Sequence, residues 1–402
     1  MGALSHIKVL DLSRVLAGPW ATQILGDLGA EVIKIEKPGE GDETRHFGPP
    51  FLQDAKGKPG DATYFLSANR NKKSVAIDLA KPQGAALVKR LARRAHVVVE
   101  NFKTGALAKY GLDHASLAAE NPALIYCSLT GFGHDGPYKD KAGYDYLIQG
   151  MGGLMSITGQ PDGAPGAEPM KVGVAVSDLF SGLYTAIAIL AAVIHQSRTG
   201  EGQHVDMALF DCQTAALANQ AMNYLAGGMQ PTRLGNAHPN IVPYQVFETR
   251  DGHLILAIAN DAQFRRFCAA ANLPLDTRFA TNAQRVAHRE AVVALLAPIF
   301  AARGTRDWIA LLEAANVPCG PINRIDQVFA DPQAIARGLK IAMPHATGSI
   351  ELVASPLRLA KTPPEYRNAP PLLGEHTQQV LADVLDISDA EFARLKESGA
   401  IA

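Results

Sequence analysis

Short apolar segments alternate with helix-like segments over the first third of the chain, and this alternation constrains the fold more than any other feature of the sequence. Five segments have the length and the Val, Ile and Leu content of buried strands: 7–13, 31–36, 74–79, 97–102 and 124–133. The segments 17–29 and 81–95 between them carry apolar residues at helical spacing. Strands that alternate with helices form a parallel sheet with helices on its faces. The sequence therefore predicts an α/β fold built on a Rossmann-like parallel sheet.

The loops that follow the predicted strands are the first places to look for a binding site, because ligands gather at the carboxyl ends of parallel strands. The loop 14–19 contains a single glycine. A nicotinamide dehydrogenase would need G-x-G-x-x-G there, so this class is disfavoured. Several loops carry cations suited to phosphate groups, although each could equally be an ordinary surface charge: Lys37, Arg45, Lys72, Lys103 and Lys109.

The run 171–197 places a single carboxylate, Asp178, at the start of a long helix that is otherwise uncharged. No charged residue follows Asp178 until Arg198. Unpaired helix amides and the helix dipole stabilise an anion at this position, where it can also react. Ser-Asp before a helix is also a common cap, so the pattern alone leaves both interpretations open.

The second half of the chain is less regular. We expect a helix from Phe210 to about Leu225, a loop into a smaller domain, a hairpin over 246–260 and three helices within 261–316. The segment 360–373 contains four prolines and is predicted to cross the surface as a strap, before two last helices that follow Gly374.

Composition excludes several classes of protein. A net charge of −1 over 402 residues gives no electrostatic footprint for nucleic acid. The four cysteines are far apart and show no metal-ligand spacing, so neither a metal site nor a disulfide framework is expected. The most apolar segment, 179–194, contains Ser, Gly, Tyr and Thr and is short for a membrane span. Without a visible secretory signal, a cytoplasmic location is expected.

Five stretches together resemble the family III CoA-transferases. They are 9–45 (VLDLSRVLAGPWATQILGDLGAEVIKIEKPGEGDETR), 69–79 (NRNKKSVAIDL), 99–112 (VENFKTGALAKYGL), 143–159 (GYDYLIQGMGGLMSITG) and 176–190 (VSDLFSGLYTAIAIL). The segments 237–247, 317–333 and 370–377 are similar to those of members that act on dicarboxylates. The resemblance implies a CoA-transferase that moves CoA from an acyl-CoA, such as succinyl-CoA, to glutarate or a similar diacid. It implies CoA esters and small carboxylic acids as substrates, with no tightly bound cofactor.

The resemblance also implies an architecture. It consists of a large Rossmann-like domain formed by 1–225 and 330–402 and a smaller α+β domain over 226–329, in an interlocked homodimer.

Site residues follow from the same resemblance, position by position. The nucleophile falls on Asp178, with Asp145 and Tyr144 beside it in the active site. The implied CoA contacts are Leu16, Ala17, Lys37, Ala68, Asn69, Arg70, Asn71, Asn101, Phe102, Lys103 and Lys109. No metal ligand is implied.

Two departures from related enzymes bear on the substrate. Related racemases carry His where this chain has Tyr144, and racemisation needs that second base, so its absence disfavours a racemase. Arg233 and His238 occupy a loop that is glycine-only in formyl-CoA:oxalate enzymes, and they are candidates for binding the distal carboxylate of a longer acid. Transfer to oxalate or to a hydroxy, methyl-branched or unsaturated diacid, racemisation, and noncatalytic binding of CoA esters are the alternatives.

The chemistry expected at Asp178 is nucleophilic. A carboxylate can attack a thioester carbonyl to give an acyl-aspartyl anhydride and CoA thiolate, which then returns to the aspartyl carbonyl to form an aspartyl-CoA thioester. At a reference pKa of about 3.9, an aspartate is ionised at neutral pH and better suited to this role than to moving protons.

Overall fold

The computed structural model describes residues 2–53 and 57–402. The strands in these ranges are β1 (Lys8–Asp11), β2 (Glu31–Glu36), β3 (Phe51–Gln53), β4 (Pro59–Ala62), β5 (Lys72–Ala76), β6 (Val97–Glu100), β7 (Ile125–Thr130), β8 (Gln203–Ala208), β9 (Tyr244–Thr249), β10 (Gly252–Ala257), β11 (Cys319–Pro321), β12 (Lys340–His345) and β13 (Gly348–Val353). Short 3-10 helices cover Glu43–His46, Ala108–Tyr110 and Thr277–Phe279.

The α-helices are α1 (Ala17–Asp27), α2 (Thr63–Leu66), α3 (Pro82–Ala92), α4 (His114–Glu120), α5 (Asp145–Met151), α6 (Leu154–Ile157), α7 (Val176–Thr199), α8 (Leu209–Ala215), α9 (Ala218–Leu225), α10 (Asp261–Ala270), α11 (Asn282–Ala287), α12 (Arg289–Ala301), α13 (Thr305–Ala314), α14 (Ile325–Ala330), α15 (Pro332–Ala336), α16 (Thr377–Leu385) and α17 (Asp389–Glu397).

The chain divides into two compact units. The first contains 1–154, 172–222 and 333–402, and the second contains 155–171 and 223–332. The sequence analysis placed 155–171 with the larger domain, whereas the contacts group this segment with the second unit.

Six parallel strands form the sheet of the first unit, in the order β5–β2–β1–β6–β7–β8. This confirms the predicted α/β class and parallel sheet. Strands β2 and β5 follow β1 on one side of it, whereas β6, β7 and β8 follow on the other side. The direction of the strand order therefore reverses between β1 and β6. In such sheets a crevice opens at the reversal, beyond the carboxyl ends of the strands.

Both faces of this sheet are covered, which explains why its strands are almost continuously apolar. Successive side chains point to opposite faces. Leu10 and Val98 belong to the cluster that packs under α3 and α16, while Val9, Val97 and Val99 belong to the cluster under α1 and α7.

Helix α7 packs closely against α1, and this contact depends on Gly182. A Cβ at Gly182 would lie 2.7 Å from the carbonyl oxygen of Ala17. The helix ends at Gly200, whose φ of 78° gives the left-handed conformation common after a helix. Among the described helices, α7 is the one long and apolar enough to cross a membrane by length and composition. Its inner face, including Thr185 and Ile189, is buried in the first unit.

The chain between β8 and the second unit corrects one prediction. Instead of a single helix from Phe210 to about Leu225, α8 and α9 are separated at Ala216 and Leu217, and Ala218 has a φ of 46°. Alanine has the highest helix propensity, so nothing in the local sequence indicates this break.

The second unit contains the antiparallel sheet β11–β10–β9, including the predicted hairpin. Its core is aromatic, with the rings of Phe247 and Phe267 both stacked against Phe300. Four α-helices, α10 to α13, lie between 261 and 316 rather than the three predicted. The extra one arises because a capping box formed by Thr281 and Gln284 starts α11, and the helical conformation is interrupted at His288.

The proline-rich segment 360–373 ties the carboxyl-terminal part of the first unit to α1. The Glu365 amide donates to the carbonyl of Asp27 at 2.8 Å. The guanidinium of Arg367 donates to the carbonyls of Gly26, Gly29 and Ala30. These bonds engage carbonyls of the last turn of α1 and of the turn that follows it, where backbone acceptors lack helical partners.

Candidate active site

A cavity of about 400 Å³ opens at the carboxyl edge of the parallel sheet. Its walls come from 14–17 after β1, 101–104 after β6, 129–131 at the end of β7 and 139–145 before α5. Asp178, in the first turn of α7, completes the lining. The cavity therefore lies at the reversal of strand order, where parallel sheets bind their ligands.

Eight of the residues predicted for the site line this cavity: Leu16, Ala17, Asn101, Phe102, Lys103, Tyr144, Asp145 and Asp178.

The loop after β1 is held in an unusual conformation at the mouth of the cavity. Val15 has a φ of 68°, which is rare for a β-branched residue and costs free energy. The side chain of Asn101 forms two hydrogen bonds with the backbone of Arg14, the residue before Val15. Its Oδ1 accepts from the Arg14 amide at 2.9 Å, and its Nδ2 donates to the Arg14 carbonyl at 2.7 Å. Asp42 accepts from the Val15 amide at 3.2 Å. The side-chain amide of Asn101 therefore holds the loop.

Buried ion pairs lie next to this loop in the interior of the protein. The ammonium group of Lys34 lies 2.8 Å from Asp42, and that of Lys72 lies 3.0 Å from Asp11, with all four side chains fully buried. Arg45 is likewise buried against Glu36, at 2.7 Å. Lys72 and Arg45 are thus wrong as candidates for binding phosphate, because their charges are already paired inside the protein.

Asp145 reaches the cavity because two backbones touch. A Cβ on Gly131, just after β7, would lie 2.4 Å from the Cα of Gly143, so neither position has room for a side chain. This contact presses the segment before α5 onto the end of the sheet. Tyr144 and Asp145 follow directly, with Asp145 as the first residue of α5.

The start of α7 is bound by Asp145. The Oδ1 atom of Asp145 accepts hydrogen bonds from the amides of Ser177, at 2.8 Å, and Asp178, at 3.3 Å. The sequence analysis expected these amides to stabilise the carboxylate of Asp178 itself. The structure corrects this, because a carboxylate 33 residues earlier in the chain occupies them.

Burial raises the pKa of Asp178 to about 7, and repulsion from the nearby Asp145 charge adds to the effect. Only 9% of Asp178 is exposed to solvent. The expectation of an ordinary aspartate pKa is therefore wrong, since the charged form loses its hydration and faces a second acid. A carboxylate with a higher pKa is a stronger nucleophile once it is ionised.

Sequence reasoning missed two aromatic residues of this region. Phe47 lines the cavity, and its ring packs edge-on against Tyr64 with 5.8 Å between centroids. Burial, with the charges of Asp178, Asp145 and Asp42, raises the pKa of Tyr64 to about 12. Tyr64 therefore lies within electrostatic range of both acids. No spacing in the sequence indicates it, because it sits on α2, a helix of four residues.

A second cavity of about 400 Å³ adjoins the first and shares Arg14, Glu43 and Phe102 with it. Its apolar walls include Leu12, Ile35, Ile77, Leu79 and Tyr110. Lys37 lines it and pairs with Glu40 at 2.6 Å. The Lys109 ammonium lies 4.7 Å from the ring centroid of Tyr110, which places it beside this cavity. The two cavities therefore adjoin each other, with Asp178 in the lining of the first and with Lys37 in the lining of the second.

Comparison with known proteins decides the class of this site. The model of "CoA-transferase family III" matches residues 4–377. The chain belongs to the family III CoA-transferases. It is 54% identical to a succinate–glutarate CoA-transferase of Agrobacterium fabrum, over 95% of each chain. It is 43% identical to the succinyl-CoA:glutarate CoA-transferase of Mus musculus, covering 100% of this chain and 91% of that one. A crystal structure of a CAIB/BAIF family protein from Brucella suis shares the fold, with a TM-score of 0.84 and 50% identity over 95% of this chain and 99% of that one.

The segment 68–71 lines neither cavity of this family III CoA-transferase, and its contact with CoA stays a prediction. Arg70 donates from Nε to Asp27 at 2.8 Å, and Asn71 donates to the same carboxylate at 2.8 Å. Asn69 accepts from Lys72 at 3.0 Å, and Ala68 is buried. The polar groups of the segment are engaged in the fold.

Arg233 and His238 lie in the second unit of the transferase and have partners there. Arg233 forms an ion pair with Asp162 and donates from Nε to the Gln160 carbonyl at 3.2 Å. The Nδ1 atom of His238 accepts from the Asn240 amide at 3.0 Å. Partial burial, followed by the charge of Arg289, lowers the pKa of His238. Among residues 2–53 and 57–402, no group of three His, Cys, Asp or Glu side chains is placed to hold a metal ion.

Proposed function

We propose that this enzyme transfers CoA from succinyl-CoA to glutarate or a similar dicarboxylate, with Asp178 as the nucleophile. The observation that carries the proposal is the environment of Asp178. It is a buried acid with a raised pKa in the lining of a cavity, at the start of a helix whose first amides are bound by a second acid. The names of the relatives at 54% and 43% identity support the choice of substrates.

The proposed reaction proceeds through four displacements. An oxygen of ionised Asp178 attacks the succinyl thioester carbon, and the C–S bond breaks to give a mixed anhydride and CoA thiolate. The thiolate attacks the aspartyl carbonyl and releases succinate, leaving an aspartyl-CoA thioester. The acceptor carboxylate attacks that thioester and expels the thiolate. The thiolate then attacks the acceptor's acyl carbon, which forms the new CoA ester and regenerates Asp178.

CoA is proposed to span the two adjoining cavities. Lys37 and Lys109 would face its phosphates, while Phe102, which lines both cavities, would contact the connecting chain. Lys103, Leu16 and Ala17 line the first cavity, where the thioester would meet Asp178. In this arrangement the lysine ammonium groups lie near the phosphates of CoA, and the thioester is held in the first cavity, away from water.

Arg233 and His238 are our candidates for binding the distal carboxylate of a diacid, because a guanidinium binds carboxylates with two parallel hydrogen bonds. Racemisation is not favoured, since Tyr144 is exposed and its phenol is a weak base at the position where racemases carry His.

We also propose that the enzyme is an interlocked cytoplasmic homodimer. The outer face of α7 exposes large apolar side chains, namely Phe180, Leu183, Tyr184, Ile187 and Ile194. A contiguous apolar face of this kind is unfavourable in water and is typical of an interface. A second copy that covers it would remove this surface from solvent.

The test is to incubate the enzyme with succinyl-CoA in heavy water and a panel of acids, and to identify products by mass spectrometry. The panel contains glutarate, oxalate, and hydroxy, methyl-branched and unsaturated diacids. New CoA esters without deuterium are expected, with glutaryl-CoA formed fastest, and none with Asp178→Asn. Deuterium at the α-carbon without new esters would mean racemisation and would overturn the proposal.

A further inference from the structure

Gln149 connects the elements on which the two acids of the site lie. It is fully buried and follows Asp145 by one turn of α5. Its Nε2 donates to Oδ2 of Asp145 at 2.7 Å. Its Oε1 accepts from the amide of Val172 at 2.9 Å, in the segment that leads into α7. One side-chain amide therefore binds the Asp145 carboxylate and the approach to α7 at the same time.

The two oxygens of Asp145 have separate partners. Oδ2 is held by Gln149, and Oδ1 accepts from the amides of Ser177 and Asp178. The carboxylate is thereby fixed in rotation, because turning it would break bonds on both sides. Gln149 thus determines how the Asp145 charge is presented to Asp178.

We propose that Gln149 is a positioning residue of the transferase, which locks the Asp145 carboxylate across the first turn of α7 and so fixes the carboxylate of Asp178 in the cavity. The proposal rests on the proposed role of Asp178 as nucleophile. Gln149 does not line the cavity, and its hydrogen bonds go to Asp145 and to the Val172 amide. Burying such a polar side chain costs free energy unless it is paired, and the proposal gives it a specific part in the reaction.

Losing this amide has a predictable electrostatic consequence. The Asp145 carboxylate becomes free to turn away, which removes a negative charge from Asp178 and releases two helix amides that can stabilise its anion. Both effects lower the pKa of Asp178. The other titratable groups that face the site are Tyr64 and the cavity residues Arg14, Glu43, Lys103, Lys139, Asp140, Lys141 and Tyr144. Gln149 is hydrogen-bonded to none of these, so we expect their contribution to be similar in all variants.

The experiment compares Gln149→Leu with the parent enzyme by two readouts between pH 5 and pH 9. The first is kcat/KM for succinyl-CoA with glutarate. The second is the difference in unfolding free energy between each protein and the same protein carrying Asp178→Asn, which reports the titration of Asp178 without any activity. We expect the midpoint of the activity profile, and the pH at which the stability difference levels off, to move down by about one pH unit, and kcat to fall roughly tenfold.

Two further variants make the result specific. Gln149→Glu keeps both hydrogen bonds while its carboxyl group is protonated, so its midpoint should lie nearer to the parent's than that of Gln149→Leu. Gln23→Leu is the matched control. Gln23 is also buried and also makes one donor and one acceptor bond, to the Ser67 carbonyl and the Arg70 amide. Its loss should lower stability without moving either midpoint.

The outcomes separate the two proposals. Unchanged midpoints in Gln149→Leu, or an equal shift in Gln23→Leu, would overturn the role of Gln149. If Gln149→Leu does not fold, a pH profile of Gln149→Glu that matches the parent's even at the high-pH end, where the introduced carboxyl group is ionised and can no longer donate to Asp145, would do the same. If the parent exchanges CoA with no acid of the panel, the proposed function fails, while the stability readout still judges Gln149.

Discussion

The carboxylate of Asp145 accepts a hydrogen bond from the backbone amide of Asp178 at 3.3 Å, so two acids meet at the start of one helix. Burial raises the pKa of Asp178, and this relationship with Asp145 adds to the effect. The helix amides that would favour its anion are engaged by Asp145, whose charge repels it as well. In the substrate-free enzyme, Asp178 is consequently about half ionised at neutral pH and mostly protonated at lower pH.

Replacing Asp178 by Asn should stabilise the substrate-free protein at high pH. The pKa of Asp178 is about 7 in the folded state and near the model value of 3.8 when unfolded, so the parent loses stability as pH rises from about 4 to above 7. Asparagine does not titrate. The gain at pH 8 is at most about 4 kcal/mol, since one pKa unit corresponds to about 1.4 kcal/mol. Urea unfolding at several pH values measures it, and a difference that is constant with pH would contradict the assignment.

The activity should depend on the same titration. We expect kcat/KM for succinyl-CoA to rise with pH through an apparent pKa near 7 and then level off, because only ionised Asp178 attacks the thioester. Initial rates at subsaturating succinyl-CoA between pH 5 and pH 9 give the profile. A rate that stays flat down to pH 5 would show that Asp178 titrates as an ordinary acid.

Lys37→Ala should mainly weaken the binding of CoA esters. Lys37 lines the second cavity and is remote from Asp178, so its proposed effect is electrostatic. We expect KM for succinyl-CoA to rise about threefold to tenfold at low salt, with kcat nearly unchanged. Glu40→Ala is the matched control, because it removes the partner of Lys37 and should not raise KM. An effect on kcat alone would argue for a different role.

Arg233→Ala should discriminate between kinds of acceptor. If Arg233 binds a distal carboxylate, KM for glutarate should rise roughly tenfold, whereas rates with a monocarboxylate such as butyrate should not fall. Asp162→Asn removes the ion-pair partner of Arg233 and serves as the control. Equal losses with glutarate and butyrate would show that Arg233 acts on the fold rather than on the acceptor.

Ile187→Asp should disturb the proposed dimer. Ile187 is 61% exposed on the outer face of α7, so an aspartate there costs nothing in an isolated chain but is unfavourable in an apolar interface. Light scattering after size exclusion should give twice the chain mass of 42.7 kDa for the parent and a lower mass for the variant. A parent that elutes as a monomer would exclude the dimer.

The strand and helix order of the first unit is readable from local patterns. The segments 7–13, 31–36 and 97–102 are apolar because β1, β2 and β6 are covered on both faces. Each segment must be apolar by itself, so each strand can be recognised from its own residues. The break between α8 and α9 cannot be predicted in this way, because Ala216 and Ala218 are compatible with a continuous helix. Local propensity decides an element only where the surroundings agree with it.

The sequence by itself determined the parallel sheet, the loops that follow its strands and the position of Asp178 in the first turn of a long helix. It also carried the resemblance that brings Asp145 and Asp178 to one site. The tertiary structure decided the environment of these residues: that Asp145 takes the amides of α7, that Gln149 holds Asp145, and that Lys72, Arg45 and 68–71 are committed to the interior. Helix and strand patterns are local, whereas burial and charge repulsion depend on groups brought together from distant parts of the chain, and it is these that set the pKa of Asp178.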